Sequence, residues 1–258
     1  MISSTSNPQV KWVTALQKKA KQRREESLFV VEGLKMVMEA PEDMLVRVYA
    51  TERFLSERAD MSFKAEPETV SENVMAAMSD TISPQGVLAV VKQPSYDIKE
   101  LTDSTENPLF ILLENLQDPG NLGTILRTAE GAGVSAVIMS SDTVDIYNPK
   151  VIRSTMGSIY RVPFIYTDDI SGTIDVLKEA GVSIYAAHLA GKNDYDAEDY
   201  SHASGFLIGN EAKGLSDEIS AKADCYIRIP MQGRVESLNA SVAAALLMYE
   251  AFRQRKNS

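Results

Sequence analysis

Cysteine and histidine are scarce in this 258-residue sequence, which has one cysteine and two histidines. The single cysteine, Cys225, cannot form a disulfide within the chain, and this favours a reducing, cytoplasmic setting. One cysteine and two scattered histidines also make a poor ligand set for a transition metal. We therefore predict no metal site and no disulfide framework.

Long apolar runs are also missing. No run approaches the roughly 18 residues that a membrane-spanning helix needs, and the longest candidate, residues 242–248, is interpreted as part of a buried helix. The first ten residues are polar and lack the apolar core of a signal peptide. We therefore expect no association with a membrane.

Two common nucleotide-binding motifs are absent or misplaced. The phosphate loop that ends in Gly-Lys-Ser/Thr does not occur. The pattern Gly131-x-Gly133-x-x-Ala136 resembles a dinucleotide fingerprint, but that fingerprint needs a strand before the glycines and a helix after them. Here the glycines follow a predicted helix and precede a predicted strand, so they are interpreted as a helix end and a turn. A nicotinamide cofactor is not predicted.

Taken over the whole chain, the net charge of −10 argues against RNA binding. The charge is, however, unevenly distributed along the sequence. Within residues 1–35, seven lysines and arginines stand against three glutamates. The seven cations are Lys11, Lys18, Lys19, Lys21, Arg23, Arg24 and Lys35. Two interpretations are open: a basic arm that holds a phosphate backbone, or the solvated face of an amphipathic helix.

Hydrophobic spacing divides the chain into two α/β regions joined by a polar stretch. Residues 1–95 show short helices and strands, including a helix over 9–24, and predict a small domain. Residues 96–107 are interpreted as a linker. In residues 108–258, near-continuous apolar strands alternate with helices, which predicts a mainly parallel sheet covered on both faces. The strands predicted there span 109–113, 134–139, 162–166, 183–187, 205–208 and 225–229, and the last helix spans 238–253.

The first chemically unusual segment is residues 114–130, ENLQDPGNLGTILRTAE. It leaves the carboxyl end of a predicted strand, where open α/β sheets place their ligand crevices. Asn121 is predicted to cap the helix that follows. Arg127 has core-like neighbours and is predicted to be functional. The alternative for this helix is a simple cap followed by a surface pair between Arg127 and Glu130.

Two further segments also follow predicted strands. Residues 206–215, FLIGNEAKGL, end an apolar strand in Gly209-Asn210-Glu211, where glycine allows the backbone to approach a ligand closely. Residues 227–245, IRIPMQGRVESLNASVAAA, lead into a helix of small residues, with Ser237 as the predicted cap. Asn239 is then expected in the first turn with a polar partner. The alternatives are an ordinary loop and a well-capped core helix.

Together and in this order, the three segments resemble the signature motifs of the SpoU (TrmH-like) family of RNA 2′-O-ribose methyltransferases, in the SPOUT class. The resemblance covers about residues 108–253. Residues 148–158 also resemble a family segment that lies beside the RNA. The N-terminal stretch is similar to the family's substrate-binding domain, through residues 6–8, 29–33 and 83–86.

The resemblance implies a fold, a cofactor and site residues. The fold is a SPOUT domain with a mainly parallel sheet and a deep C-terminal trefoil knot, preceded by a small α/β substrate-binding domain. The cofactor is S-adenosylmethionine. The implied cofactor-binding residues are His188, Leu189, Gly209, Asn210, Gly214, Ile229, Met231, Ser237, Leu238 and Asn239. The implied catalytic residues are Arg127, Asn121, Glu211, Ser237 and Asn239. The implied RNA-binding residues are Lys18, Lys19, Arg23, Arg24, Lys150 and Arg153.

The resemblance further implies a homodimer, with the last helix as its contact, and methylation of structured RNA. The N-terminal domain favours 23S ribosomal RNA over transfer RNA. Arg127 is expected to activate the ribose hydroxyl, either with a lowered pKa or by gripping a phosphate while another group accepts the proton. The competing functions are a non-catalytic RNA-binding protein, a base methyltransferase of the same class, and an unrelated nucleotide-dependent enzyme.

Overall fold

The structure is a computed structural model that describes residues 1–103 and 105–256. The chain forms two compact units. The first consists of Met1–Pro94 together with Asp145–Tyr160, and the second of Ser95–Val144 and the chain from Arg161 onward. The predicted boundaries differ from these units at residues 145–160, which belong to the first unit. Within the described residues, no helix is long and apolar enough to cross a membrane.

The helices and strands alternate along most of the chain. The helices are α1 (Pro8–Lys18), α2 (Ala20–Glu26), α3 (Leu34–Glu39), α4 (Glu52–Ser56), α5 (Glu72–Met78), α6 (Ile98–Thr102), α7 (Pro119–Ala132), α8 (Pro149–Thr155), α9 (Ile170–Glu179), α10 (Asp217–Ser220) and α11 (Ala240–Arg255). The strands are β1 (Leu28–Glu32), β2 (Leu45–Thr51), β3 (Pro67–Val70), β4 (Val87–Lys92), β5 (Leu109–Leu113), β6 (Ala136–Ser140), β7 (Phe164–Thr167), β8 (Ser183–Ala187), β9 (Asn193–Asp194), β10 (Ser204–Ile208) and β11 (Cys225–Arg228).

The first unit is built on a four-stranded sheet in the order β1-β4-β2-β3, with β4 antiparallel to both of its neighbours. Helices α1 and α5 pack apolar side chains into the core of this unit, including Val13, Leu16 and Met75. The predicted helix over 9–24 is two helices, because Lys19 adopts an extended backbone between α1 and α2.

Arg23 was predicted to bind RNA, and this prediction is wrong. Its side chain is buried at 4% exposure. The guanidinium donates hydrogen bonds to the carbonyl oxygens of Leu16 at 2.7 Å and Gln17 at 3.0 Å, and it pairs with the Asp145 carboxylate at 2.5 Å. A buried guanidinium needs a partner for its charge and its N–H groups. Arg23 therefore stabilises the junction between α1 and α2, and it is not free to contact phosphate.

The second unit carries a seven-stranded sheet in the order β7-β6-β5-β10-β8-β11-β9, and every neighbouring pair is parallel. The predicted parallel sheet is therefore confirmed. The residues of β5, β6 and β10 are all buried, as strands covered on both faces must be. Strands β5, β10, β8 and β11 are consecutive neighbours, so the loops at their carboxyl ends meet at one edge.

The stretch interpreted as a linker, 96–107, contains α6, and Leu101 of this helix is buried in the core of the second unit. Asp97 begins the helix, because its carboxylate accepts hydrogen bonds from the backbone N–H groups of Lys99 and Glu100. The part of this stretch that forms α6 is therefore packed structure and not an extended spacer.

Two predicted helix caps are wrong. The side chain of Asp118, not Asn121, begins α7, since its Oδ1 accepts from the Asn121 backbone N–H at 2.9 Å. Asn239, not Ser237, begins α11, and its Oδ1 accepts from the N–H groups of Ser241 and Val242. In both cases the cap lies where its oxygen reaches the N–H groups two or three residues on.

Candidate active site

The loops that follow β8, β10 and β11 enclose a cavity of about 550 Å³ in the second unit. The size lies within the range of small-molecule sites. Its lining combines apolar side chains, glycine backbone and a few polar groups. The lining residues are Ala187, His188, Leu189, Ile208, Gly209, Asn210, Glu211, Ala212, Lys213, Gly214, Ile227, Arg228, Ile229, Pro230, Met231, Glu236, Ser237, Leu238, Ala240 and Ala243.

Gly209 lies where the loop after β10 folds back closely on its own backbone. A Cβ atom on Gly209 would overlap the carbonyl group of Gly214 and the backbone nitrogen of Leu215. The same loop is closed by two backbone hydrogen bonds between Asn210 and Gly214, at 3.0 and 2.8 Å. Position 209 therefore requires glycine because there is no room for a side chain, and not because of its backbone conformation.

A line of amide and carboxylate groups joins the three unusual segments. Asn239 Nδ2 donates to Asn121 Oδ1 at 2.9 Å, and Asn121 Nδ2 donates to Glu211 Oε1 at 3.0 Å. Asn121 is buried, at 8% exposure, so its two side-chain bonds are the partners that a buried amide needs. The three residues lie 90 and 118 positions apart in sequence, and the fold brings them into direct contact.

Glu211 is an acceptor for several N–H groups at once. Besides Asn121, its carboxylate accepts from the backbone N–H of Asp118 at 2.9 Å and of Gln117 at 3.1 Å. Desolvation raises the pKa of this carboxyl group, but the hydrogen bonds from Asn121, Asp118 and Gln117 outweigh it, and the pKa is lowered from its ordinary value. Glu211 is thus an ionised tether between two loops and a weak base.

Replacing Glu211 with glutamine is expected to weaken binding of a ligand in the cavity about tenfold. The glutamine amide presents an NH₂ donor to a backbone N–H, so at least one hydrogen bond is lost and two donors face each other. Titration calorimetry with S-adenosylmethionine measures this affinity. Glu218→Gln is the matched control, because Glu218 is an exposed carboxylate on the neighbouring helix α10; equal affinities for the two variants would contradict the tether.

The pH dependence of the free energy of unfolding has a defined sign, and thermal unfolding over a series of pH values measures it. Because the pKa of Glu211 is lowered in the folded protein, its contribution is fully present above the ordinary glutamate pKa and is lost as pH falls through the lower folded value. In the wild type we expect the contribution of this tether to stability to decline as pH falls from the ordinary glutamate pKa towards the lower folded value. The Glu211→Gln variant has no carboxylate at this position, so it should lack the part of the pH dependence that comes from Glu211.

A second carboxylate, which the sequence analysis did not single out, holds the same loops from the other direction. Glu114, directly after β5, accepts from the Ser216 backbone N–H at 2.8 Å and from the Ser216 hydroxyl at 2.6 Å. Asn210 Nδ2 also donates to the Asn115 carbonyl oxygen at 2.8 Å. The available signal was the position of Glu114 at a strand's carboxyl end and of Ser216 just before two acidic residues, which is typical of a helix cap.

Arg127 lies in the sixth position after Asn121 on α7 and is exposed. Among the described residues it makes no hydrogen bond or ion pair. The alternative interpretation, an Arg127–Glu130 surface pair, is wrong, because Glu130 pairs with Arg161 and one of these contacts measures 3.1 Å. The Arg127 guanidinium is therefore available to a ligand.

The cavity contains most of the predicted cofactor-binding residues. Those that line it are His188, Leu189, Gly209, Asn210, Gly214, Ile229, Met231, Ser237 and Leu238, while Asn239 lies in the amide line described above. Of the predicted catalytic residues, Glu211 and Ser237 line the cavity. Glu236, Lys213 and Arg228 also line the cavity but were not predicted, because their only signal in the sequence is adjacency to motif residues.

The predicted RNA-binding cations of the first unit have different environments. Lys18, Lys19, Arg24 and Lys150 are exposed. Arg153 is half-buried and pairs with Asp80 at 2.7 Å. No group of three metal-ligating side chains is found in residues 1–103 or 105–256.

Comparison with known proteins identifies two families in the chain. The SpoU rRNA methylase family matches residues 108–249, and the MRM3-like substrate-binding domain matches residues 7–89. The 23S rRNA (guanosine(2553)-2′-O)-methyltransferase RlmP of Bacillus subtilis is 32% identical over 249 residues, which cover 96% of this chain and 97% of that protein.

Solved structures agree with this assignment. An AdoMet-bound rRNA methyltransferase from Sinorhizobium meliloti has a TM-score of 0.85 at 34% identity, covering 98% of this chain and 97% of the other. The SpoU methyltransferase AviRb from Streptomyces viridochromogenes, in complex with AdoMet, has a TM-score of 0.85 at 26% identity, covering 98% and 99%. With its three motifs joined around one cavity, this chain belongs to the SpoU rRNA methylase family.

Proposed function

We propose that this protein transfers a methyl group from S-adenosylmethionine to a ribose 2′-hydroxyl of ribosomal RNA, most specifically of 23S rRNA. The observation that carries the proposal is the direct contact of the three motifs, Asn239 to Asn121 to Glu211, beside the cavity. The relative from B. subtilis, which is named for 2′-O-methylation of 23S rRNA, supports the choice of substrate.

The cavity fits a ligand with an apolar ring system and a polar amino-acid tail. Leu189, Ile229, Met231 and Leu238 provide apolar contact area, and the glycine backbone at Gly209 allows close approach. Ser237, Asn210 and the neighbouring backbone groups supply polar contacts. S-adenosylmethionine, when bound there, supplies a methyl group on a sulfonium that is already activated toward a nucleophile. The protein then has to orient the acceptor and manage one proton.

The roles of the polar residues follow from their existing bonds. Glu211 and Asn121 have their acceptor oxygens occupied, so we assign them to positioning the loops and not to accepting the proton. Arg127 is left with two roles that its free guanidinium permits. It accepts the proton of the 2′-hydroxyl after losing one of its own protons, so that it acts as a neutral guanidine, or it stays charged and holds an RNA phosphate while another group accepts that proton.

We assign a deep trefoil knot to the C-terminal part of the second unit. Two features support it. The sheet places β10 between β5 and β8 although β8 comes earlier in the chain, and α11 packs on α7 after the loop that carries Asn239. We also assign the domain boundaries 1–95, 96–107 and 108–258; residues 145–160 fall in the last of these ranges but belong to the first compact unit. We also propose that the reaction takes place in the cytoplasm.

The decisive experiment maps 2′-O-methyl groups in ribosomal and transfer RNA from a strain that lacks the gene. Loss of one site in 23S rRNA, restored by the purified protein with labelled S-adenosylmethionine, is the expected result. Loss of a transfer RNA site instead would reassign the substrate. Label recovered on a base after digestion would make the protein a base methyltransferase, and no cofactor binding at millimolar concentration would favour a non-catalytic RNA-binding protein.

We also propose that the protein is a homodimer with α11 at its interface. This helix is apolar on both sides: Ala244, Leu247 and Met248 are buried, whereas Val242 and Tyr249 are 47% and 49% exposed. Val242 and Tyr249 also line a shallow apolar cavity of about 470 Å³. A helix that is apolar all round is normally buried, and a second copy related by a two-fold axis covers it in the simplest way.

Replacing Tyr249 with aspartate is expected to convert the dimer into monomers, because it buries a charge in an apolar contact. Light scattering after gel filtration reports the mass directly. Val176→Asp is the matched control, since Val176 is 37% exposed on α9. A wild-type protein that elutes as a monomer, or a Tyr249→Asp variant that stays dimeric, would refute this interface.

A further inference from the structure

Lysine, arginine and glutamate side chains line the cavity of the second unit at four positions, and two of them already have partners within the protein. The Glu211 carboxylate accepts the three N–H groups described above. Arg228 on β11 pairs with Asp194 on the neighbouring strand β9, at 2.7 Å. The charges of Glu211 and Arg228 are therefore stabilised without a ligand.

Lys213 and Glu236 are the other two charged residues of the lining, and both are exposed. They lie in different loops, after β10 and after β11. Within residues 1–103 and 105–256, neither side chain makes a hydrogen bond or an ion pair, so the two do not pair with each other. The cavity therefore offers one unpaired positive group and one unpaired negative group to a ligand.

The backbone that carries Lys213 is held firmly. Asn210 Oδ1 accepts from the backbone N–H groups of Ala212 at 3.0 Å and of Lys213 at 3.1 Å. The two backbone hydrogen bonds between Asn210 and Gly214 close the same turn. The lysine side chain thus starts from a fixed base at the cavity wall, and this limits the conformational freedom that is lost when a ligand binds.

Glu236 has no part in capping the helix that follows it. An acidic residue before a helix often caps it, but in α11 this is done by Asn239, whose Oδ1 accepts from the Ser241 N–H at 2.9 Å and the Val242 N–H at 3.4 Å. Arg234, two residues before Glu236, is exposed and does not pair with it in the described part of the chain. The Glu236 carboxylate is therefore free to bind a cation in the cavity.

We propose that Lys213 holds the α-carboxylate of S-adenosylmethionine and that Glu236 holds its α-ammonium group. The inference rests on the proposed function. The adenosine part of this cofactor is uncharged, so only its methionine end can meet the two charges. The carboxylate and the ammonium group are attached to one carbon atom, and one residue of each sign is the complement of that end. Lys213 and Glu236 thus select the intact cofactor over adenosine thioethers that lack the amino-acid end.

The test for Lys213 is titration calorimetry of the full-length protein with S-adenosylmethionine and with its decarboxylated form. The wild type is expected to bind the decarboxylated form about fivefold more weakly, as the loss of one solvent-exposed ion pair predicts. Lys213→Met should lower the affinity for S-adenosylmethionine by the same factor and leave the affinity for the decarboxylated form unchanged, because the group that the lysine holds is already missing there.

The test for Glu236 uses S-adenosylhomocysteine, which keeps the ammonium group and lacks the sulfonium charge. Glu236→Gln should lower the affinity for S-adenosylmethionine and S-adenosylhomocysteine alike, about fivefold. The affinity for 5′-methylthioadenosine, which has no amino-acid end, should stay that of the wild type in both cavity variants. High salt should reduce the differences from the wild type, since they come from exposed charges.

Two matched controls remove the same groups outside the cavity. Lys99→Met changes an exposed lysine on α6, and Glu218→Gln changes an exposed carboxylate on α10. Neither residue lines the cavity, so both controls should bind every ligand of the series as the wild type does. Thermal unfolding should be unchanged in all four variants, because none of these side chains has a partner within the protein.

Three results would overturn the inference. Lys213→Met could weaken the decarboxylated cofactor as much as S-adenosylmethionine, which would assign the lysine to the shape of its loop. Glu236→Gln could weaken S-adenosylmethionine alone, which would place the carboxylate beside the sulfonium. Wild-type affinities in both variants would refute the inference and leave the proposed function standing. A wild-type protein that binds no S-adenosylmethionine would refute the proposed function and the inference with it.

Discussion

Arg127→Ala is expected to lower the rate of methyl transfer at least about 100-fold and to leave the affinity for S-adenosylmethionine near that of the wild type. Arg127 is exposed, has no hydrogen-bonding partner in the part of the chain that the structure describes, and does not line the cofactor cavity. Its removal therefore leaves no buried partner unpaired, so the loss should fall on the reaction and not on folding or cofactor binding.

The measurement combines single-turnover methylation with calorimetric titration of the cofactor. Arg161→Ala is the matched control, because it also removes an arginine from the second unit and that arginine pairs with Glu130 on α7. Rates within threefold of each other for the two variants would remove Arg127 from the chemistry. Loss of cofactor binding in Arg127→Ala would instead place Arg127 in the cofactor site.

Arg127→Lys separates the two roles left open for this residue. If the side chain accepts the proton, the rate of the lysine variant should rise with pH as its ammonium group loses its proton. If the side chain holds a phosphate, the lysine keeps the charge and loses the two-pronged geometry of the guanidinium. In that case the KM for RNA should rise while the pH profile of kcat stays that of the wild type.

The architecture of the second unit was predictable because its strands are apolar throughout. Strand β5, Leu109–Leu113, is buried at every position, and such a run has few alternatives to a strand covered on both faces. Helix ends were less predictable. Asp118 and Asn121 are both good caps, and so are Ser237 and Asn239, and the choice depends on which oxygen reaches an unpaired N–H group.

Long-range polar contacts were beyond what the sequence could predict from physics alone. Glu114 and Ser216 are 102 positions apart, and nothing in either local sequence specifies that one side chain binds the other. The prediction that Arg23 binds RNA was wrong for a related reason. It lies in a run of exposed cations, and its burial depends on Asp145, which is 122 positions away. The motif residues were predicted together only because they resemble a family.

Gly209→Ala is expected to lower the affinity for S-adenosylmethionine at least 100-fold. The added methyl group would overlap the carbonyl group of Gly214 and the nitrogen of Leu215, and these are backbone atoms that cannot rotate away. The two hydrogen bonds between Asn210 and Gly214 must then open, and the loop that carries Glu211 must shift. Overpacking of this kind typically costs about 1–3 kcal/mol of stability.

Gly233→Ala is the matched control, because it adds the same methyl group in the loop between β11 and α11, where the new Cβ meets no atom within 4 Å. Calorimetric titration and thermal unfolding of both variants give affinity and stability separately. We expect the alanine at 233 to be nearly neutral in both. If the Gly209→Ala variant binds the cofactor as tightly as the Gly233→Ala variant, the loop that carries Gly209 does not form part of the cofactor site. The proposed reaction then loses its structural basis.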